Sequence, residues 1–468
     1  MIHRWLLNAL CVLVWVGSVW AQPLSSRPFN SFNLRNLRIS FPAPTARYVG
    51  MGGAGIGLAD DPGANSLNPA GSALFSRPAV AFSTWLVYQE VEEPSLNCAG
   101  APLHQEQSEL FVDQVFLSTV VPMGRLRLGT YRQVHTDRRI AFEVFKPFRY
   151  NPSRSPEENL QRNFPTQETL LRTQLVDNSL MAAFQIRPQL SLGIGIHLFR
   201  LDYHLTEREY FHSGLHDEPV CLRSEISPEN LYLIRTADAR KWGLGLTVGI
   251  MSRLSSRLFF GAVYRLRPAF FLDNRILLPR FVLTDSLHTV EFPTVGHVES
   301  RFPYRLPDSF GFSLAYKQEG TFHLVMDLVR TRYSELVHFS VTSPADAGPH
   351  PTDLIQDNRA SDHADPDGKP DIVLEDIWEI HAGFEYVLRT PRLPWTTFLR
   401  AGYYREPTTI PYSQQASPEF RASFPREAPL HHFTVGLGIF TGKHLRLDGA
   451  MDIRRDRVTV VGSSVFVL

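Results

Sequence analysis

Between Leu190 and Leu198 the chain alternates strictly: Leu190, Leu192, Ile194, Ile196 and Leu198 fall on one face, Ser191, Gly193, Gly195 and His197 on the other. Successive side chains of a strand point to opposite faces, so this segment predicts a ribbon with one apolar and one small, polar face. The same alternation recurs at Trp242 to Ile250, against Lys241 to Gly249, and at Trp378 to Leu388, against Glu379 to Glu385. Fourteen such segments are predicted, at about 79 to 90, 108 to 121, 125 to 135, 174 to 186, 190 to 205, 241 to 253 and 257 to 267, then 308 to 317, 322 to 333, 378 to 388, 395 to 405, 431 to 441, 445 to 454 and 457 to 468. Most match the roughly 9 to 11 residues with which a tilted strand crosses a bilayer.

Alternation alone also fits a soluble sandwich, whose apolar faces meet inside. The connections separate the two. Tight turns fall at Pro122 to Gly124, Arg187 to Gln189, Leu254 to Ser256, Gln318 to Thr321 and Thr441 to His444, with a slightly longer one at Thr390 to Pro394. Between these hairpins lie long connections, about 91 to 107, 136 to 173, 206 to 240, 268 to 307, 334 to 377 and 406 to 430. Connections of that length are uncommon in compact soluble domains. Short and long in alternation is the plan of an outer-membrane barrel, with turns in the periplasm and loops outside. Outward aromatics near strand ends, among them Trp242, Tyr264, Trp378, Tyr386 and Trp395, suit interfacial girdles. In hydrocarbon every backbone group needs a partner, so the sheet is expected to close. The predicted fold class is all-β, a 14-stranded antiparallel transmembrane barrel.

Composition agrees. The 468 residues carry 47 Lys+Arg and 47 Asp+Glu, which leaves no basic field for nucleic acid. A mean hydropathy of -0.14 suits a barrel with a wet interior and long outer loops, and past residue 22 there is no apolar run long enough for a spanning helix. Residues 1–21 read as an export signal, with Arg4, an apolar core from Trp5 to Trp20 and the small-residue end Val19-Trp20-Ala21. Cys98 and Cys221 would remain after its removal, either bridged in an oxidising compartment or as two loop thiols.

Residues 22–76 differ from the rest. A polar lead-in precedes the one Gly-dense segment, which contains Gly50, Gly52, Gly53 and Gly55. Gly50 to Gly55 matches the G-x-G-x-x-G pattern of dinucleotide sites, but no buried strand precedes it and no βαβ unit follows. Asn68 before Pro69 is a helix start, since Asn caps a free backbone N–H and Pro at the first position lacks one. A short helix is predicted from Pro69 to about Phe75.

The run Ala46-Arg-Tyr-Val-Gly-Met-Gly-Gly-Ala-Gly, then Leu58-Ala-Asp-Asp-Pro, then Asn68-Pro-Ala70-Gly, resembles the N-terminal region of FadL-type outer-membrane transporters, and equally that of the related PorV and PorQ proteins of type IX secretion. The resemblance implies that residues 22–76 form a hatch with short helices, containing Gly50, Gly52, Gly53, Gly55, Asn68, Pro69 and Ala70, inside a barrel of residues 77–468. It implies passive uptake of hydrophobic small molecules such as long-chain fatty acids. Capture would be by outer loops, followed by transfer to a barrel pocket and release past the hatch. The alternative it implies is a secretion component that docks cargo proteins. The expected setting is the outer membrane of a Gram-negative cell, with lipid, a hydrophobic ligand, the barrel-assembly machinery and, under the alternative, secretion proteins as partners. No cofactor is expected.

Three clusters are candidate sites. Phe270, Phe271, Leu272, Leu277, Leu278 and Phe281 lie in an outer connection and read either as a substrate-capture surface or as a loop that buries itself over the barrel mouth. The inward positions His197, Lys241, Glu379, His381, Glu385 and Arg400, with His323, Asp327, Arg446, Asp448 and Asp452, read either as a polar lumen lining or as ion pairs tying barrel to hatch. Asp365, Asp367 and Asp371 resemble half of a calcium loop, but the other positions do not fit an EF-hand, and a solvated turn is the alternative. No H-E-x-x-H or G-x-S-x-G motif is present, so no enzyme is expected.

Overall fold

The computed structural model describes residues 43–96, 102–144, 166–210, 231–278, 281–284, 289–292, 295–318, 320–335, 338–341, 355–357, 372–389, 394–407, 412–413, 426, 428–442, 444–455 and 457–468. The export signal, Cys98, Cys221, Asp365, Asp367 and Asp371 lie outside the described residues. Three short helical segments come first: α1 (Ala46–Gly50), α2 (Ala64–Leu67) and a 3-10 turn (Pro69–Leu74). Strands follow as β1 (Ala79–Leu96), β2 (Pro102–Met123), β3 (Leu126–Val144), β4 (Thr166–Arg187), β5 (Leu190–Tyr210), β6 (Leu231–Arg253), β7 (Leu258–Leu266), β8 (Ala269–Leu278), β9 (Phe281–Thr284), β10 (Thr289–Phe292) and β11 (Val295–Arg305). Then come β12 (Ser309–Gln318), β13 (Phe322–Thr331), β14 (His338–Val341), β15 (Ile355–Asp357), β16 (Ile372–Val373), β17 (Ile377–Arg389), β18 (Trp395–Glu406), β19 (Tyr412–Ser413), β20 (Leu430–Thr441), β21 (Leu445–Arg454) and β22 (Arg457–Val467).

Fourteen of these strands, β1 to β7, β12, β13, β17, β18, β20, β21 and β22, form one closed antiparallel ring, each paired with its neighbour in the chain. Closure is made by β1 on β22, from Ala79 opposite Val467 to Gln89 opposite Arg457. The predicted barrel and strand number are therefore observed. The ribbon at β5 shows why this sheet needs lipid: Leu192, Ile194, Ile196 and Leu198 are 39 to 55% exposed on the outside, while Ser191 and His197 are 5 and 6% exposed within. Such an apolar face all round a closed sheet belongs against acyl chains.

Several strands run past the predicted limits. β4, β5 and β6 extend up to ten residues into what the sequence pattern assigns to outer connections. Outside the bilayer neither face must be apolar, so the ladder continues where the alternation has stopped. The connection after β7 also holds strands: β8 pairs with β11, and β8 returns to β6 at Ala237 opposite Asn274. Between that point and Leu246 opposite Leu266 the edge of β6 lies between two ladders. Pro268 and Phe270 pack over Gly243 there, and Lys241 pairs with Asp273 at 3.1 Å.

A second lapse lies between β2 and β3. Their ladder runs from Met123 opposite Leu126 to Phe116 opposite Gln133 and ends. Each strand continues pairing on its other side, β2 to β1 as far as Pro102 and β3 to β4 as far as Val144. A register shift between Val134 and Thr136 places a bulge at His135, where the seam begins.

Candidate functional site: the hatch and the cavity above it

The described part of the hatch, Ala43 to Phe75, fills the lower lumen. Asn68 is extended, at φ -154°, and its side chain accepts from Ala70 N at 3.1 Å, with Pro69 at the first position of the turn. The predicted helix is thus a capped 3-10 turn. Asn68 also donates to Ile56 O and Ile250 O, at 3.0 and 3.1 Å, and so ties hatch to wall. After α1 the chain reverses through Gly52 and Gly53 at φ +65° and +76°, a conformation costly for any other residue. Gly52 N donates to Thr434 Oγ1 at 2.9 Å, and His381 Nδ1 donates to Gly52 O at 2.7 Å. Asp327 on β13 accepts from Gly55 N and Ile56 N, at 2.7 and 2.9 Å, and from Ser313. The glycine motif therefore serves a turn moulded to the wall.

The wall is shaped in return. A Cβ on Gly402 would stand 2.1 Å from Gly52 N, and one on Gly193 would stand 2.3 Å from Ala70 N. Gly195 makes room for Met181 instead.

Charges lock the two parts together. Arg47 of α1 holds Glu385 of β17 and Asp60 of the hatch, and Asp60 reaches Lys317 at 2.8 Å. Glu385 accepts from Arg400 at 2.7 Å, Arg400 lies 2.8 Å from Asp448, and Arg446 bridges Asp448 to Asp61. Four cations (Arg47, Lys317, Arg400, Arg446) thus meet four carboxylates (Asp60, Asp61, Glu385, Asp448), and His323 Nδ1 is 2.8 Å from Glu385. Buried charge is tolerable only when paired in this way. Burial works against ionisation of Asp60, but Arg47 and Lys317 outweigh it and hold its carboxyl well below the usual carboxylate range. Burial likewise opposes the charge of Arg47, and Asp60 with Glu385 reverses the balance, so its proton is held more firmly than usual.

Above the hatch is a cavity of about 180 Å³. Its wall includes Val49, Ile56 and Leu67 of the hatch, the rings of Trp85, Tyr131, Phe199 and Tyr404, and the polar groups His135, Asp177, His197, Arg265, Glu379, His381, His432 and Asp452. One side is organised by Asp177, which lies 2.9 Å from His197 Nδ1 and accepts from Tyr131 OH at 2.7 Å, while His197 Nε2 is 2.7 Å from Thr247 Oγ1. On the other side Tyr404 stacks between His432 and His381, at centroid distances of 4.0 and 5.2 Å, and donates to Asp452 at 2.7 Å.

The inward residues singled out from sequence therefore divide. His197, Glu379 and His381 line the cavity, Glu385 and Arg400 lie in the ion network below it, and Lys241 pairs near the β6 to β8 lapse. Of the outer apolar cluster, Phe270 and Leu272 are buried, at 2 and 0% exposure, against the inner faces of β4, β5 and β6, while Phe271 stays exposed and Leu277 half-buried. The side chains of Leu278 and Phe281 lie outside the described residues. Phe199 joins this apolar cluster to the cavity wall. Arg47, Asp60, Asp61, Asp177 and His135 were not singled out from sequence; the acidic pair in Leu58-Ala-Asp-Asp-Pro and the inward charges Glu385, Arg400, Arg446 and Asp448 were the available signals for the lock.

Residues 40–428 match the family model for the outer membrane protein transport proteins OMPP1/FadL/TodX. The chain belongs to this family. Its members are channels for hydrophobic compounds in the outer membrane, not enzymes. A FadL homologue of Pseudomonas aeruginosa superposes with a TM-score of 0.57 at 13% identity, over 92% of this chain and 98% of that one. The CymD monoaromatic hydrocarbon channel gives 0.55 at 14%, over 92 and 99%. The Ralstonia pickettii toluene transporter TbuX gives 0.52 at 16%, over 93 and 98%. These likenesses establish the shared barrel. No curated protein sequence matches the chain. Nothing in these comparisons supports the secretion-component alternative.

Proposed function

We propose that this family member admits small amphipathic compounds, an apolar ring or short chain bearing a polar group, and releases them sideways into the membrane with the hatch in place. The observation that carries this reading is His135, which both lines the cavity and marks the bulge where the β2 to β3 ladder ends. A molecule in the cavity stands beside a stretch of wall that, among the described residues, has lost its ladder and is not refilled from within. Passage downward would instead require breaking an eight-charge buried network and the hydrogen bonds of Asn68, Gly52 and Asp327.

Size favours a compact ligand. A dry cavity of roughly 150 Å³ is enough for a benzene ring, and this one is about 180 Å³; a long fatty acyl chain would extend well beyond it. Aromatic walls with histidines and carboxylates suit a ring carrying hydroxyl or similar groups. The toluene and monoaromatic hydrocarbon channels among the structural neighbours are in keeping with that size. The apolar cluster around Phe270 and Leu272 adjoins the cavity through Phe199 on the outer side.

Trp85 lines the cavity, whereas Trp242, Trp378 and Trp395 face outward. Titration of the purified protein with p-cresol and with palmitate, read by tryptophan fluorescence, tests the reading. Saturable quenching by p-cresol that disappears in Trp85→Phe is expected; saturable binding of palmitate alone would overturn it.

A further inference from the structure

The end of the barrel that carries the tight turns has an unusual charge pattern. Arg77 before β1, Arg125 in the β2 to β3 turn, Arg187 in the β4 to β5 turn, Arg253 and Arg257 flanking the β6 to β7 turn, and Arg389 at the end of β17 are all exposed. None of these six forms an ion pair among the described residues. The described residues of these turns contain no Asp or Glu. The charges are therefore not part of the compensated network inside the lumen.

Their placement says what they face. Met123 and Leu254, both 57% exposed, stand beside Arg125 and Arg253 at the lower edge of the apolar belt. The Arg257 guanidinium lies 3.3 Å from the hydroxyl of Tyr316, an outward ring of β12. Five of the six arginines lie at successive connections of β1 to β7, and Arg389 lies across the ring at β17, so the rim carries them at several sectors rather than in one turn. A soluble partner would meet one sector of such a rim; the headgroup layer of the membrane meets every sector. A guanidinium presents a planar fork to phosphate oxygens, and several basic groups at a membrane surface add to their attraction for anionic lipid.

We propose that this arginine rim binds the phosphate headgroups of anionic phospholipids in the leaflet at the tight-turn end, so that the barrel carries a selected annulus of such lipid. The inference rests on the position of the turns and is independent of which compound the cavity takes.

The test is reconstitution of the full chain into nanodiscs of equimolar phosphatidylcholine and phosphatidylglycerol, followed by detergent extraction and native mass spectrometry of retained lipid. Phosphatidylglycerol is expected to be retained several-fold over phosphatidylcholine. That preference should fall toward equality in Arg125→Gln/Arg257→Gln and in the sixfold Arg→Gln variant, and also in wild type as sodium chloride is raised to 0.5 M. The salt titration keeps the test decisive if the sixfold variant does not fold. Equal retention of the two lipids by wild type, or a preference unchanged by salt and by the double variant, would overturn the proposal. So would binding of a poly-glutamate peptide together with indifference to phosphatidylglycerol.

Discussion

Arg47 of the hatch and Glu385 of the barrel wall meet in a two-point contact, Nε to Oε2 at 3.0 Å and Nη2 to Oε1 at 2.9 Å, between residues 338 positions apart in the chain. Glu385 is shared with Arg400 and His323, so one carboxylate joins the plug to two further wall residues. Removing one partner of a buried pair leaves an unpaired charge and costs about 3–5 kcal/mol. Glu385→Gln is therefore expected to loosen the hatch, raising single-channel ion conductance in planar bilayers while the far-UV circular dichroism of the barrel stays that of wild type.

Acid should unseat the hatch, with a defined sign. The Asp60 carboxyl titrates below its unfolded value, so its contribution is fully present above the ordinary Asp pKa of about 3.9 and is lost as pH falls through the folded value. Conductance should stay low from neutral pH down to about pH 4 and rise only in stronger acid. Asp60→Asn should conduct at every pH; a wild-type rise near pH 6 would point to histidines instead.

Glycines of the wall provide a steric test. Gly402→Ala forces a Cβ into the backbone of Gly52, and Gly193→Ala does the same at Ala70, so both should expose the hatch to limited proteolysis. Gly462→Ala, on the same sheet with nothing within 4 Å of its added Cβ, should match wild type.

Asn68→Ala removes a cap and two donor contacts at once. A lost cap alone costs about 0.5–2 kcal/mol, and the carbonyls of Ile56 and Ile250 lose a partner as well. Hydrogen exchange should rise at residues 69–75 and remain unchanged in β20 to β22.

How much of this was legible in the sequence follows from the range over which each signal acts. The fourteen strands could be read because lipid on one side imposes a period of two within each segment, as in β5 and β17. The cap at Asn68 was legible because it is local. The lock was legible in kind, as inward charges that tie barrel to hatch, but not in its partners: Arg47 finds Glu385, and Arg446 finds Asp61, across most of the chain, and parity says that Glu385 points inward without saying which cation it meets. Phe270 and Leu272 were legible only as a choice between two readings, a capture surface and a loop that buries itself. Their alternation shows which face is apolar, but not that the hairpin of β8 and β11 turns that face into the lumen rather than toward solvent. The seam at His135 was not read from sequence: one extra residue moves the inward positions from odd, as at Tyr131 and Gln133, to even, as at Thr136, just where the alternation of β3 has lost its contrast.

Release through the wall is tested most directly by whole-cell uptake of labelled p-cresol under two engineered cross-links. Val115→Cys/Val134→Cys closes the seam one step beyond the last β2 to β3 pair, and Asn65→Cys/Ser118→Cys pins the hatch to β2 where the two side chains already touch. The account predicts that the seam lock abolishes protein-dependent uptake until a reductant is added, while the hatch lock leaves it near the wild-type rate. Uptake that survives the seam lock and stops with the hatch lock would contradict it.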